Sequence, residues 1–227
     1  METMRKENLA NLSQKGFIAA DSLPVNRIDI GETTQLRSKE EIFGRLIALK
    51  ALWLYVDDHP EAEPLDVIEE MIDTYDLRSF LTKGENEILN LSREEACQEH
   101  GHLMGWKNEN CWPLAWILGF PDAPAVDHGQ LSGDLARNLM LGWLPDNLSE
   151  CQELKNKIKL RDPNEVHQLE DLFYCAHNAV RSAQLGSNTV PSDFHPIHDG
   201  GCIHERRHSL TWSLSPGIDW EETDLST

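Results

Sequence analysis

The stretch Asp162-Pro163-Asn-Glu-Val-His-Gln-Leu169-Glu-Asp-Leu172-Phe173-Tyr-Cys175-Ala176-His177-Asn-Ala-Val180-Arg181-Ser-Ala183-Gln184-Leu185-Gly186 decides the fold. Asp162 reads as a helix N-cap, and Pro163 suits the first helical position, where its missing amide proton costs nothing. Leu169, Leu172, Phe173, Ala176, Val180 and Ala183 recur at threes and fours, as one buried helical stripe requires. Gly186 stops the helix. The spacing therefore predicts a helix over 163–185.

Helical patterns extend in both directions from it. Downstream, a loop is expected over 187–201 and a last helix over 203–214, ended by Pro216-Gly217. Upstream, helices are expected over 132–143 and 148–159, after a Pro/Asp/Gly loop at 120–130. Ser92-Arg-Glu-Glu95 is a capping box. The pattern it opens passes Trp106, Trp112 and Trp116 toward Leu118-Gly119, with Pro113 predicting a kink or break. Ser38-Lys-Glu-Glu41 is another box. It opens a helix of about five turns, with Ile42, Leu46, Leu49, Trp53 and Val56 as its stripe. Residues 4–15 read as a short helix with Leu9 and Leu12 on one face, closed by Gly16 and followed by a 17–36 connector with Pro24 and Gly31. Strand signals are weak. The expected fold is mostly α, a single compact multi-helix domain with little or no β. Residues 1–36 form an N-terminal helix and connector packing on a helical domain of 37–227.

The formal charge of −19, from 39 acids and 20 bases, opposes direct nucleic-acid binding, which needs Lys and Arg to neutralise phosphates. It favours solubility and encounter with cationic partners. The five cysteines are scattered, and no C-x-x-C pair occurs, which opposes a disulfide framework or a Cys-rich zinc module. No apolar run reaches the length of about 18 residues that a membrane span needs. The charged start lacks the apolar core of a secretory leader, so the expected location is the cytoplasm. There is no phosphate-binding glycine loop and no G-x-S-x-G elbow, and no cofactor is expected.

Residues 57–76 hold nine acids and no Lys or Arg. Within them Pro64 starts a helix with Leu65, Ile68, Met71 and Ile72 on one side. Asp66, Glu69, Glu70 and Asp73 lie on or beside the other, making a one-signed face on a real helix. Most of the seven tryptophans fall on core stripes, but Trp220 sits in the acidic tail of 218–227 beside Glu221 and Glu222. It either folds back to seal a groove or serves as an interaction anchor.

His204-Glu205-Arg206-Arg207-His208 matches the H-E-x-x-H pattern, in which two histidines one turn apart hold zinc and the glutamate activates water. The adjacent cations Arg206 and Arg207 are costly beside a dicationic metal. A third ligand would have to come from Asp219, Glu221, Glu222 or Asp224 in the tail. His195 and His198, with Cys202 and Asp199, are further metal-capable groups, although a hydrogen-bonded loop without metal explains them as well. No metal is therefore assigned, and His204, His208, His195 and His198 are the histidines that would serve if one bound. His177, Arg181 and Gln184 share an edge of the 163–185 helix. With Glu205, Arg206, Arg207, His208 and Trp212 they line a pocket or satisfy one another. Cys175 has no activating neighbour by spacing and is not read as a nucleophile.

Four segments resemble the bacterial family catalogued as domain of unknown function 4272. They are Leu36-Arg-Ser-Lys-Glu-Glu-Ile42 with Arg45; Gly105-Trp-Lys-Asn-Glu-Asn-Cys-Trp-Pro-Leu-Ala-Trp-Ile-Leu-Gly119; the run from Asp171 to Gly186; and His204-Glu-Arg-Arg-His-Ser-Leu-Thr-Trp212 with Asp219-Trp220. The resemblance implies a helical protein. It also implies that the first histidine of the H-E-x-x-H position is often another residue, such as tyrosine, and it supplies no catalytic residues. The expected function is a non-enzymatic acidic binding protein, an immunity-type inhibitor of a basic toxin such as a nuclease. In it Asp66, Glu69, Glu70, Asp73, Trp220, Glu221 and Glu222 meet the partner. The alternatives are a metal-dependent hydrolase using His204, Glu205 and His208, and a structural module of a homo-oligomer.

Overall fold

The computed structural model describes residues 2–20, 22–24, 35–57, 59–127 and 129–227, and omits the side chains of residues 2 and 3. Gly31 of the expected connector and Asp58 of the acidic stretch lie outside the described residues. Among those described there is no strand, so the mostly α reading holds. The elements are α1 (Glu2–Gln14), α2 (Lys39–Val56), α3 (Leu65–Thr74), α4 (Lys83–Ile88), α5 (Arg93–His100), α6 (Met104–Ile117), α7 (Gly133–Arg137), α8 (Leu148–Lys157), α9 (Pro163–Gln184) and α10 (His198–Ser213). Contacts group them into two units. One comprises Ser38–Ala123 and Leu131–Leu160; the other comprises Met1–Arg37, Pro124–Gln130 and Arg161–Thr227.

The first unit is built around α2, which packs against α3, α5, α6 and the 3-10 turn Leu77–Phe80. Its capping box forms as expected: the Glu41 amide donates to Ser38 Oγ at 3.2 Å and the Ser38 amide to Glu41 Oε2 at 3.0 Å. The helix is buried on nearly all sides, not along one stripe. At Gly44 a Cβ would lie 2.4 Å from the Phe80 ring, so only glycine permits this packing. Arg45 and Lys50 are also buried, which the apolar stripe did not foretell.

Buried cations are tolerable only when partnered. Arg45 grips Glu85 through two bonds, of 2.6 and 3.0 Å, and also donates to the Phe80 carbonyl. Lys107 reaches the same carboxylate at 2.5 Å. Glu85 further accepts the Thr82 amide, completing the capping box of α4. Lys50 donates to the Met140 carbonyl and pairs with Asp146, each at 2.6 Å. Met140 lies in a π-helical segment, Asn138–Trp143, that continues α7. A π turn shifts the backbone hydrogen bonds by one residue, and Lys50 satisfies a carbonyl within it. Burial lowers the Lys50 pKa.

The expected interruption at Pro113 falls elsewhere. The chain breaks from α5 into α6 at the 3-10 turn Gly101–Leu103, and α6 runs through Pro113. Proline removes one backbone bond. Here Cys111, Trp112, Leu114 and Ala115 around it are all buried, and their packing outweighs that loss.

In the second unit α1 packs on α9, and α9 on α10. Arg5 holds the fully buried Asp171 from its Nε at 2.8 Å and Nη2 at 2.5 Å, and Asn8 adds a bond of 2.8 Å. Phe17 packs edge-on against Phe194 at 5.1 Å, pinning the loop before α10.

Arg45 and Lys107 hold the Glu85 carboxyl down to about 2 from 4.5, against the burial that opposes its charge. A depressed carboxyl stabilises the fold above its unfolded value, and that stability is lost as pH falls through the folded value. Glu85→Gln is therefore expected to cost about 3 kcal/mol at neutral pH. The difference from wild type should shrink between pH 4.5 and 2, as read by urea denaturation. A pH-independent difference would contradict this assignment.

Candidate functional site

The site residues lie on α9 and α10, whose close approach depends on Gly200. A Cβ there would sit 2.5 Å from Val180 Cγ1. Helix α10 begins at His198, five residues before the expected 203, so the Gly200-Gly201 pair is helical and not loop. A side-chain cap explains the earlier start. His195 Nδ1 accepts the amides of Ile197 and His198, each at 3.2 Å, while Asp199 Oδ2 accepts the His195 amide at 2.7 Å. This imidazole does the work that a serine or aspartate usually does at a helix start.

Arg207 is the centre of the interface. Its Nε faces Glu170 at 3.4 Å, and its Nη1 donates to His177 Nδ1 at 2.9 Å. Nη1 and Nη2 also donate to the carbonyls of Leu225 at 2.8 Å and Ser226 at 3.3 Å. The guanidinium lies 4.8 Å from the Tyr174 ring centre, and Thr211 donates to Glu170 at 3.0 Å. A guanidinium only donates, so His177 Nδ1 carries no hydrogen and the ring is neutral. Burial, with the nearby Arg207, His204 and Arg181, pushes the His177 pKa down to about 3.

Next to this network, His208 Nε2 donates to the Trp220 carbonyl at 2.8 Å, and the two rings lie 4.2 Å apart. Trp220 also meets Trp212 at 5.3 Å. Arg37 stacks on Trp212 at 4.2 Å and donates to the carbonyls of Trp212, Ser215 and Ile218. The tail is thus folded back, with Trp220 half-buried and Glu221 and Glu222 exposed.

His177, His204, Arg207, His208, Trp212 and Trp220 come together; the other expected pocket residues do not. Arg206 turns to the 124–130 loop, donating to the carbonyls of Ala125 at 2.7 Å and Gly129 at 2.5 Å. Arg181 and Gln184 bond each other at 2.6 Å, and Gln184 ties the Pro196 carbonyl at 3.0 Å. Glu205 is half-buried. His195 and His198 are exposed, with their rings 4.6 Å apart, and those of His204 and His208 are 6.4 Å apart. Among the described residues no three His, Cys, Asp or Glu side chains converge as metal ligands would. The Cys175 thiol is pushed up to about 12 by burial, which suits an inert thiol.

Glu170, Tyr174, Thr211 and Arg37 belong to the cluster and were missed by sequence reading. Glu170 and Thr211 lie on opposite helices, so nothing in local spacing pairs them. Asp66, Glu69, Glu70 and Asp73 are exposed on α3, while Ile68, Met71 and Ile72 are buried beneath them.

The model of the family described as Domain of unknown function (DUF4272) matches residues 4–223. The chain belongs to that family. The match embraces both units, so the folded-back Trp220 and the acidic α3 both lie within the family's extent. No curated protein and no solved structure matches the chain. No helix among the described residues is long and apolar enough to cross a membrane.

Below the ordinary histidine value of 6.5, the unfolded chain takes up a proton that folded His177 refuses until about 3. Stability should therefore fall with pH across that window. NMR titration of the His177 ring is expected to give an inflection near 3. An inflection near 6.5 would mean that the Arg207 contact does not form in solution.

Proposed function

We propose that this protein is a non-enzymatic acidic binding protein of the bacterial cytoplasm, an immunity-type inhibitor that masks a basic toxin such as a nuclease. The observation that carries the reading is α3. Its apolar residues Ile68, Met71 and Ile72 are buried, and this fixes Asp66, Glu69, Glu70 and Asp73 in solvent on one rigid helix. Carboxylates held this way form charge-assisted bonds with Arg and Lys without first ordering a loop. The charge of −19 adds long-range attraction for a cationic partner. On a nuclease, such a face would occupy the cationic surface that otherwise receives phosphates. Glu221 and Glu222 add exposed acids beside the anchored Trp220. The hydrolase reading has less support, because Arg207 and His208 of the H-E-x-x-H segment already bond neighbouring groups of the chain.

The test is affinity purification of the chain from its own cells, with identification and reconstitution of what it retains. The expected partner is a basic protein held at low salt and released as salt screens the contact. Combined Asp66→Lys, Glu69→Lys, Glu70→Lys and Asp73→Lys should weaken the reconstituted complex by at least about a hundredfold. Undiminished affinity in the charge-reversed chain would overturn the surface assignment.

A further inference from the structure

The segment 219–226 is held in an unusual way. Its fixed points are one aromatic ring and a series of main-chain carbonyls. The Trp220 ring packs against those of His208 and Trp212, and its carbonyl accepts from His208. The carbonyls of Leu225 and Ser226 accept from Arg207. Just before the segment, Arg37 collects the carbonyls of Ser215 and Ile218. Asp219, Glu221, Glu222 and Asp224 all face solvent. The Asp224 carboxyl is held below its usual range mainly by the Ser226 amide it accepts, and also by the Arg207 charge. Main-chain hydrogen bonds combined with a seated side chain are one recurring way in which proteins hold an extended peptide.

The receiving surface is fixed from below. Arg207 is held by Glu170, His177 and the face of Tyr174, and is 3% exposed. Trp212 contacts both the Arg37 guanidinium and Trp220. The donors are therefore positioned by the α9–α10 core as well as by the segment they hold. An acidic segment lying over the Arg207 guanidinium also has complementary charge, in a chain whose overall balance is strongly negative.

We infer that the face of α9 and α10 bearing Arg207, His208 and Trp212 is a peptide groove, filled in cis by residues 219–226, which accepts in trans an extended acidic peptide carrying an aromatic residue. This site is separate from α3 and does not depend on the inhibitor reading. In cis the groove is protected by the high local concentration of its own segment, so a competitor gains access when the Trp220 anchor is weakened.

The probe is a fluorescein-labelled synthetic peptide with the sequence of residues 218–227, titrated into full-length wild type and full-length Trp220→Ala. Amide exchange over 219–226 reports whether the segment has lifted. In Trp220→Ala, exchange there should accelerate, and the peptide should bind saturably, at least about tenfold tighter than to wild type. The same peptide with alanine in place of its tryptophan should bind neither protein. Rapid exchange in Trp220→Ala without peptide binding would overturn the inference. So would exchange as slow as wild type, or equal binding of the alanine peptide. Should Trp220→Ala fail to fold, Trp220→Phe carries the same comparison. Its smaller ring stacks less well, so the tryptophan peptide should again bind more tightly than to wild type, and no gain would overturn the groove.

Discussion

A cation removed from water must be given oxygens, and this constraint organises both units. Arg45, Lys50, Arg206 and Arg207 are all at most 3% exposed. Desolvating any of them unpartnered costs several kcal/mol. Each is carried by a helix, and each takes a backbone carbonyl from a segment outside that helix: Phe80 for Arg45, Met140 for Lys50, Ala125 and Gly129 for Arg206, Leu225 and Ser226 for Arg207. The helices pack through apolar contacts, and the buried cations determine where the irregular segments go. The π turn, the 124–130 loop and the last residues are all fixed this way.

The same constraint explains why H-E-x-x-H here need not mean chemistry. The pattern's middle positions are filled by Arg206 and Arg207, which hold two different pieces of chain. His208 is committed to the Trp220 carbonyl and ring. His177, which by position could have been a base, accepts a hydrogen bond from the Arg207 guanidinium and is driven far from physiological titration. A general base works best with a pKa near the working pH, and about 3 is the wrong side of that range. The polar residues of α9 and α10 are bonded to one another and to the folded-back tail, while the acids of α3 face solvent.

Much of the fold was legible in the sequence because it is written locally. Capping boxes at Ser38 and Ser92, Asp162-Pro163 at the start of α9 and Gly186 at its end use residues within one turn of each other. What was not legible depends on distant partners. Pro113 looked like a break, yet buried neighbours carry the helix through it. His195 is not among the usual capping residues, so the local pattern alone starts α10 too late. Lys50 reads as a surface residue until the Met140 carbonyl, ninety positions away, is brought to it. At the candidate site, His177 and His208 were legible as unusual, but Glu170 and Arg37 acquire a role only when α9, α10 and the tail meet.

If the His204 to His208 segment is a structural lock, its imidazoles hold neighbouring parts of the chain and not a metal. Elemental analysis of the purified chain tests this most directly, run beside a His204→Ala, His208→Ala double variant. No stoichiometric zinc is expected in either protein. Near-equimolar zinc in the wild type that disappears in the variant would contradict it, because those imidazoles would then be ligands and not partners of Trp220 and its neighbours.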